Sequence, residues 1–201
     1  MEIRKPDFLI VGAAKSGTTS LSGYLAEHPD VVIVSNRLEY FGEFSNPAYG
    51  EMSREKYLSF FTDVPESKVA GEKSVSYLYS LKAIKEIAEI NPAMKIIMVL
   101  RDPVERAYSD YWHRRRTGVE ALSFEDALQR ESQRIKEGAR FELHYSNYGL
   151  YADRVKAYIE TFGRSNVCAF CFEDLKQQPE EVSKKCFEFL GVDQNYIPQS
   201  F

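Results

Sequence analysis

The sequence predicts an α/β fold, a three-layer structure in which helices flank a parallel sheet around a P-loop-like nucleotide-binding core. Three observations support this prediction. Apolar segments rich in β-branched residues alternate along the chain with amphipathic helical patterns, the order expected of a parallel sheet. The apolar segments do not alternate polar with apolar residues, so both faces of their strands should be buried. A glycine-containing loop directly follows the first of these segments.

The elements follow in order from these patterns. The predicted strands are residues 8–11, 31–34, 95–100 and 167–172. The predicted helices are residues 18–28, 81–90 and 151–162, and a fourth helix begins at residue 103. In the helix at 81–90, for example, apolar residues recur at the spacing of one helical face. With 201 residues, the chain is long enough for one domain with a sizeable core, which we expect to be residues 1–201.

The composition is that of an ordinary globular protein, with 44% hydrophobic and 28% charged residues. The formal net charge of −4 argues against nucleic acid as a partner, because proteins that bind the phosphate backbone usually carry a basic excess. The apolar run at residues 8–14 is too short to span a membrane and lacks the arrangement of a signal peptide. We therefore expect no membrane span.

Three cysteines, Cys168, Cys171 and Cys186, bear on the cellular setting. Their number is odd and two lie in an apolar segment, so we interpret them as reduced, buried thiols and not as disulfide partners. This interpretation favours a cytoplasmic location. Cys168 and Cys171 have C-x-x-C spacing, but the second pair or the histidines of a zinc site are missing nearby, so no metal is expected.

The loop after the first strand, within the stretch FLIVGAAKSGTTSL, has most of a phosphate-binding pattern. Gly12 and Gly17 have the spacing of G-x-x-x-x-G-K-[ST], but Thr18 replaces the lysine, which comes early as Lys15. A helix behind such a loop points free N–H groups and its positive dipole end at the loop. Lys15 adds a charge, and hydroxyl donors come from Ser16, Thr18, Thr19 and Ser20. The predicted ligand is an anion; the alternative is a plain glycine-rich turn.

A second strand-to-helix junction is predicted around residue 102. Asp102 suits the N-cap, Pro103 suits the first helical position, and Glu105 stands where a capping-box glutamate would. A strand should therefore end near Arg101 and a helix should begin at once. Open α/β sheets bind their ligands at such junctions.

This junction offers further groups that could bind an anion. Arg101 stands at the strand end, and Ser109 and His113 are four residues apart and so share one helical face. Alternatively, Arg101 is an ordinary surface arginine that pairs with Asp102 or Glu105. Two strand ends that each present cationic and hydroxyl groups would suit a ligand with two separate phosphate-like groups.

These motifs carry a resemblance to a known family. The chain resembles the sulfotransferases that use 3′-phosphoadenosine 5′-phosphosulfate (PAPS), especially their heparan sulfate and bacterial branch. The matching segments come in the family's order and cover nearly all of the chain. They are Ala14-Lys-Ser-Gly-Thr-Thr-Ser with Leu21 and His28-Pro29 after it, Gly71-Glu-Lys-Ser-Val-Ser-Tyr-Leu, Leu100-Arg-Asp-Pro-Val-Glu-Arg-Ala-Tyr-Ser-Asp-Tyr, Gly149-Leu-Tyr-Ala and Phe187-Glu-Phe-Leu-Gly-Val.

The resemblance implies an enzyme that transfers a sulfuryl group from PAPS, its co-substrate, to a hydroxyl or amine, with a carbohydrate as the first choice of acceptor. It implies that the first loop holds the 5′-phosphosulfate, with Lys15 at the bridging oxygen, and that Arg101 and Ser109 hold the 3′-phosphate. Lys73 matches the lysine of the family's Glu-Lys-Ser block and becomes a second catalytic cation; otherwise it is a surface lysine at a strand end. No metal is then needed, because lysine and backbone dipoles can neutralise the leaving phosphate.

The general base is the point at which the sequence departs from the family. Many relatives carry a Lys-Glu pair shortly before two aromatic residues, and the ungapped match puts Asn36 and Arg37 at that place. The expected glutamate is therefore an arginine. Glu39, two residues later, is a candidate to replace it, and Glu43 is a more remote one.

His113 is the other candidate base. The heparan N-sulfotransferase branch has a histidine at the matching place, and imidazole titrates near the working pH. The alternative is that His113 simply packs beside Trp112. The run His113-Arg-Arg-Arg is either a solvated helix end or the lining of a cleft for an acidic or sulfated acceptor, and the sequence does not choose between them.

A further expectation concerns the end of the chain. Relatives continue past the Phe-Leu-Gly-Val run with a segment that closes over the nucleotide, whereas this chain ends at Phe201, so we expect either a fragment or a reduced lid.

Two other functions are alternatives to sulfuryl transfer. One is a P-loop kinase or hydrolase, disfavoured by the early position of Lys15, and the other is a nucleotide-binding domain that has lost catalysis.

Overall fold

The computed structural model describes residues 4–43, 52–138 and 141–201, and within them five strands form one sheet. The strands are β1 (Phe8–Gly12), β2 (Val31–Ser35), β3 (Val69–Lys73), β4 (Lys95–Leu100) and β5 (Val167–Cys171). Their order across the sheet is β2-β3-β1-β4-β5, and every neighbouring pair is parallel. The predicted parallel sheet is confirmed, with β3 as a strand that the sequence patterns did not predict.

Eight α-helices lie in the described segments. They are α1 (Thr18–Glu27), α2 (Arg54–Ser59), α3 (Leu81–Ile90), α4 (Pro103–Arg116), α5 (Phe124–Lys136), α6 (Ala152–Phe162), α7 (Phe172–Gln177) and α8 (Pro179–Leu190). The four predicted helices correspond to α1, α3, α4 and α6, while α2, α5, α7 and α8 were not predicted. None of these helices has the length and apolar character needed to cross a lipid bilayer.

The sheet separates two apolar clusters, which makes the fold three-layered. Leu9 and Val11 of β1 face a cluster that includes the buried residues of α3 and α6. Phe8 and Ile10 of the same strand face a second cluster, formed with α1 and α8. Because side chains alternate across a strand, β1 contributes to both layers and is buried along its whole length.

Burial on both faces is found for the central strands but not for the edges. β1 is fully buried and β4 nearly so, whereas β5 has exposed residues at Ala169 and Cys171. The prediction for β5 was wrong, because an edge strand has one neighbour and is less completely covered. The interpretation of the cysteines as buried also needs correction. All three are free, but Cys186 alone is buried, Cys168 is half-buried and Cys171 is exposed.

Candidate active site

The loop after β1 is built around its glycines. Gly12 has φ 154°, and a Cβ atom there would lie 2.8 Å from Leu78 Cβ, so a larger residue would collide with the neighbouring segment. Gly17 has φ 77°, in the left-handed region that glycine adopts freely. Lys15 also has a positive φ, 65°, which costs a non-glycine residue about 1–3 kcal/mol. The loop is therefore tightly turned on both sides of its lysine.

Helix α1 begins behind this loop without a cap. Its N-cap residue is Gly17, which has no side chain to cap the first-turn N–H groups, and the first turn contains no acidic residue. The N–H groups at the start of a helix have no partners inside the helix, and the dipole places partial positive charge there. The geometry expected of an anion-binding loop is present.

The loop opens into a cleft of about 520 Å³ at the carboxyl ends of the strands. The cleft is lined by residues that follow all five strands, so it is the place where the loops of the sheet converge. Most of the predicted site residues line it: Lys15, Gly17, Thr18, Thr19, Glu39, Lys73, Ser109 and His113.

Three predicted residues do not line the cleft, namely Ser16, Ser20 and Arg101. Ser16 is fully buried, and its hydroxyl has no hydrogen-bond partner among the described residues. Ser20 is exposed in the first turn of α1. Neither serine is among the residues that line the cleft, so their predicted role as anion donors stays a prediction.

Arg101 contacts both strand-to-helix junctions, the one after β1 and the one after β4, without lining the cleft itself. One terminal nitrogen donates to the carbonyl oxygen of Lys15 at 3.3 Å, and the other lies 3.1 Å from a Glu105 carboxylate oxygen. The guanidinium carbon is 4.6 Å from the ring centroid of Phe172, which does line the cleft. The alternative pairing with Glu105 is therefore present. Arg101 Nε is buried without a hydrogen-bond partner among the described residues.

The start of α4 is capped as predicted. Asp102 Oδ1 accepts hydrogen bonds from the N–H groups of Val104 and Glu105, both at 2.9 Å, and Pro103 takes the first helical position. The capping-box role predicted for Glu105 is not observed, because its carboxylate pairs with Arg101 instead. The amino terminus of α4 is thus closed by its own carboxylate, whereas that of α1 stays open.

Two lysines bring positive charge into the cleft. Lys73 is only 8% exposed, and its Nζ donates to Thr19 Oγ1 at 3.1 Å, so it is not the surface lysine of the alternative interpretation. Burial lowers the pKa of Lys73, with Arg37 adding to the effect. Burial also lowers the pKa of Lys15, which Asp110 opposes. Both lysines are thus partly or largely shielded from water, which strengthens their attraction for an anion in the cleft.

Both candidate bases reach the cleft. Glu39 is almost fully buried, has φ 49°, and lies 3.2 Å from Arg37 Nε; burial raises the pKa of this carboxyl, against the effect of Arg37. His113 is half-buried, and burial, together with Lys15, lowers its pKa. Glu43 is not a cleft residue; it accepts a hydrogen bond from Ser80.

The basic residues at the end of α4, His113 to Arg116, are partly cleft lining and partly a solvated helix end. Arg114 lines the cleft beside His113, and its Nε donates to buried Asp110 at 3.2 Å. Arg115 instead donates to the carbonyl of Ala121, and Arg116 is exposed. Arg114 is thus a cleft residue that was not predicted from the sequence, although its position four residues after Asp110 indicates that the two side chains share a helical face.

A stacked pair of tyrosines, Tyr79 and Tyr148, also lines the cleft and was not predicted from the sequence. The rings of Tyr79 and Tyr148 are 3.7 Å apart and inclined by 5°. The hydroxyl of Tyr79 accepts a hydrogen bond from the N–H of Ala14 at 3.1 Å, which ties the pair to the first loop. Nothing in the local pattern of either tyrosine indicates this pairing, since they are 69 residues apart in the chain.

Comparison with known proteins identifies the family. The model of the sulfotransferase domain family matches residues 5–199. Human bifunctional heparan sulfate N-deacetylase/N-sulfotransferase 3 is 30% identical over 201 residues, which cover 96% of this chain and 23% of that protein. Mouse heparan sulfate glucosamine 3-O-sulfotransferase 3A1 is 28% identical over 193 residues, 93% of this chain and 46% of that protein. The chain therefore spans less than half the length of either curated relative.

The solved structures include a close match over the whole fold. The crystal structure of a sulfotransferase from Alicyclobacillus acidocaldarius superposes with a TM-score of 0.91 and is 35% identical. The match covers 99% of this chain and 86% of that one. The sheet, its flanking helices and the loop after β1 are therefore those of a known architecture.

Proposed function

The chain belongs to the sulfotransferase domain family, and from that premise we propose that it transfers a sulfuryl group from PAPS to a hydroxyl or amine acceptor. A carbohydrate is our first choice of acceptor. By their names, the two curated relatives act on heparan sulfate, one as an N-sulfotransferase and the other as a 3-O-sulfotransferase. Because this chain is about equally identical to both relatives, the comparison supports a carbohydrate acceptor and does not decide between an amine nitrogen and a hydroxyl oxygen.

One observation carries the proposal: the uncapped start of α1 opens, with two partly desolvated lysines, into the cleft that also holds both candidate bases. The free N–H groups, Lys15 and Lys73 fit a ligand with several negative charges. Arg101 Nε is a further buried donor without a partner in the described segments. The groups present thus suit the phosphates of PAPS.

In the proposed reaction PAPS supplies the sulfuryl group, and the chain supplies charge and orientation. Lys15 and the N–H groups of α1 would neutralise charge on the leaving phosphate, and Lys73 would act from the carboxyl end of the neighbouring strand β3, with its Nζ held by Thr19. Arg101 and Ser109 are proposed to bind the 3′-phosphate. Ser109 lines the cleft, and Arg101 would have to exchange Glu105 for that phosphate.

The acceptor's proton needs a base within the cleft. We propose His113 ahead of Glu39, because His113 shares a helical face with Ser109, which is assigned beside the co-substrate. Burial first, and then the charge of Lys15, lower the pKa of His113, which favours the neutral imidazole that a base needs. Glu39 is the second candidate, since its carboxylate is also in the cleft.

A domain that binds the nucleotide without catalysis is the second candidate function. The observation that favours it is Arg37, which stands at the expected position of the base and pairs with Glu39 at 3.2 Å. An arginine there removes the glutamate that many relatives use. Binding of the nucleotide without product would be the result that selects this candidate.

Calorimetry with 3′-phosphoadenosine 5′-phosphate (PAP) and with ATP tests the co-substrate first. We expect PAP to bind in the absence of magnesium and ATP to bind more weakly; preferred, magnesium-dependent binding of ATP would contradict the proposal. Transfer from radiolabelled PAPS is then measured on a heparan fragment with free amines and on the matched N-acetylated fragment. Product on the first alone identifies an amine acceptor, and product on both identifies a hydroxyl.

Three further proposals concern the setting of the protein. Its free cysteines support a cytoplasmic location, and its net charge of −4 supports a set of partners without nucleic acid. We also propose that residues 1–201 act as one domain, since the sheet and both apolar clusters draw on elements from the whole range.

A further inference from the structure

A buried carboxylate, that of Glu72, lies next to the cleft and has no role in the reaction proposed above. Glu72 precedes Lys73 in β3 and is completely buried. Two hydroxyls donate to it: Ser74 Oγ to Oε2 at 2.7 Å, and Tyr77 OH to Oε1 at 2.6 Å. Burying a carboxylate in a sheet is costly, and these hydrogen bonds offset part of that cost.

The same two hydroxyls continue to the backbone of the loop after β2. Ser74 Oγ accepts a hydrogen bond from the N–H of Glu39 at 2.9 Å, and Tyr77 OH accepts one from the N–H of Tyr40 at 2.9 Å. Each hydroxyl has one proton, and because it accepts from a backbone N–H of the loop, it directs that proton to Glu72. Glu72 therefore supplies the acceptor that orients both hydroxyls toward the loop.

The hydroxyls of Ser74 and Tyr77 also act on the charge of this carboxyl. Complete burial raises the pKa of Glu72 to about 7, and the hydrogen bonds from Tyr77 and Ser74 oppose that rise. The N–H groups of two consecutive residues, Glu39 and Tyr40, thus depend on the Glu72 side chain through these hydroxyls.

One of these two residues is Glu39, a candidate base. Its φ of 49° lies in the left-handed region, which a glutamate adopts only when its surroundings hold it there. The links through Ser74 and Tyr77 hold the peptide groups on both sides of its Cα. We propose that Glu72 is a positioning residue, which acts through Ser74 and Tyr77 to hold the strained turn at Glu39 and so keeps the Glu39 carboxylate in the cleft.

The contacts of Glu72 distinguish this role from that of a merely satisfied core residue. An apolar residue would fill a sheet interior at lower cost than a carboxylate. The N–H groups that Glu72 serves belong to the loop at the cleft, outside the strand ladder. The catalytic consequence rests on the proposed function, whereas the control of the loop does not.

Amide hydrogen exchange of the folded chain, measured by NMR, tests the control of the loop. We expect Ser74→Ala to speed exchange at the Glu39 amide about tenfold or more, and Tyr77→Phe to do the same at the Tyr40 amide, because each change removes one acceptor. Glu72→Gln should speed exchange at one or both of these amides, since its amide group cannot accept at both positions. Ser183→Ala is the matched control. It also removes a buried hydroxyl, one without a partner among the described residues, and should leave both amides unchanged.

Two exchange results would overturn the proposal: unchanged rates at Glu39 and Tyr40, or an equal acceleration of all amides, which would give Glu72 a role in overall stability only. If Glu72→Gln does not fold, the two hydroxyl variants decide, because they leave the carboxylate in place. If Glu39→Gln shows Glu39 to be the base, we further expect transfer by Ser74→Ala at saturating PAPS to fall about tenfold while the Kd of PAP changes by less than about twofold. In that case an unchanged transfer rate would refute the positioning role in catalysis, and the exchange rates test the control of the loop whichever residue is the base. Absence of transfer in the unmodified protein would refute the proposed function and leave the exchange result valid.

Discussion

Replacing Arg101 with alanine separates two roles that its contacts allow. In one role the guanidinium binds the 3′-phosphate of the nucleotide. In the other it braces the first loop through the carbonyl of Lys15, at 3.3 Å, and pairs with Glu105. We expect the first role, so Arg101→Ala should weaken binding of PAP much more than binding of adenosine 5′-phosphate, which lacks the 3′-phosphate.

The contacts of Arg101 indicate how much more PAP binding should lose than binding of adenosine 5′-phosphate. Glu105 is 65% exposed, so its pair with Arg101 is worth at most about 1 kcal/mol and is easily exchanged for a phosphate. A hydrogen bond to a charged group contributes about 1.5–3 kcal/mol, which corresponds to about 10- to 150-fold in the Kd of PAP. The brace to the carbonyl of Lys15 acts on the loop whichever nucleotide is bound. It should therefore cost both nucleotides equally, by less than about tenfold.

Calorimetry with both nucleotides on Arg101→Ala and on the unmodified protein measures the two losses. Glu105→Gln is the control, because it keeps the guanidinium and removes the charge of its partner. PAP binding should be retained or slightly stronger in that variant. Equal losses for the two nucleotides in Arg101→Ala would show that Arg101 braces the loop and does not bind the 3′-phosphate.

Four other substitutions test the site and the fold. Lys15→Ala should lower transfer from PAPS by about 10²–10³ or more, because it removes a charge aimed at the leaving group; an unchanged rate at saturating PAPS would show that the loop is misassigned. If His113 is the base, it must be neutral to act, so the rate should fall as pH drops through a pKa that burial holds below its ordinary value. His113→Ala should remove this acidic limb, whereas Glu39→Gln should be the more damaging change if Glu39 is the base, and near-normal turnover in both would exclude both candidates. Asp110→Asn leaves the fully buried Arg106 without its charged partner and should lower the free energy of unfolding by about 3–5 kcal/mol in a denaturant titration, a loss below about 1 kcal/mol being the contrary result.

The central elements were predictable because each carries a strong local signal. β1 and β4 are continuous apolar segments, and the start of α4 is specified by Asp102 and Pro103 in consecutive positions. β3 was missed because its second half, Gly71-Glu-Lys, reads as polar loop. Glu72 and Lys73 are nevertheless buried, and their partners come from Ser74, Tyr77 and Thr19. Because this burial depends on tertiary partners, it produces no periodic pattern of hydrophobic residues in the sequence.

The site was predictable to the extent that it follows strand ends. Lys15, Ser109 and His113 belong to junctions that the sequence specifies, and the structure brings them to one cleft. The Tyr79–Tyr148 stack joins distant segments and has no local signal. Predicting it would require knowledge of how the segments after β3 and α5 pack together.

The open start of α1 links the stability of the protein to its ligand. A side-chain cap stabilises a helix by about 0.5–2 kcal/mol, and this helix, which begins at Gly17, has none. An anion that completes the first turn would therefore raise the melting temperature, by an amount that grows with the logarithm of the ratio of its concentration to its Kd, and a thermal-shift screen would rank anionic ligands before any acceptor is known. The same feature sets a trade-off for engineering. A substitution that capped α1 from within would stabilise the free protein while competing with the ligand, so gains in heat resistance at this loop should come with losses in binding.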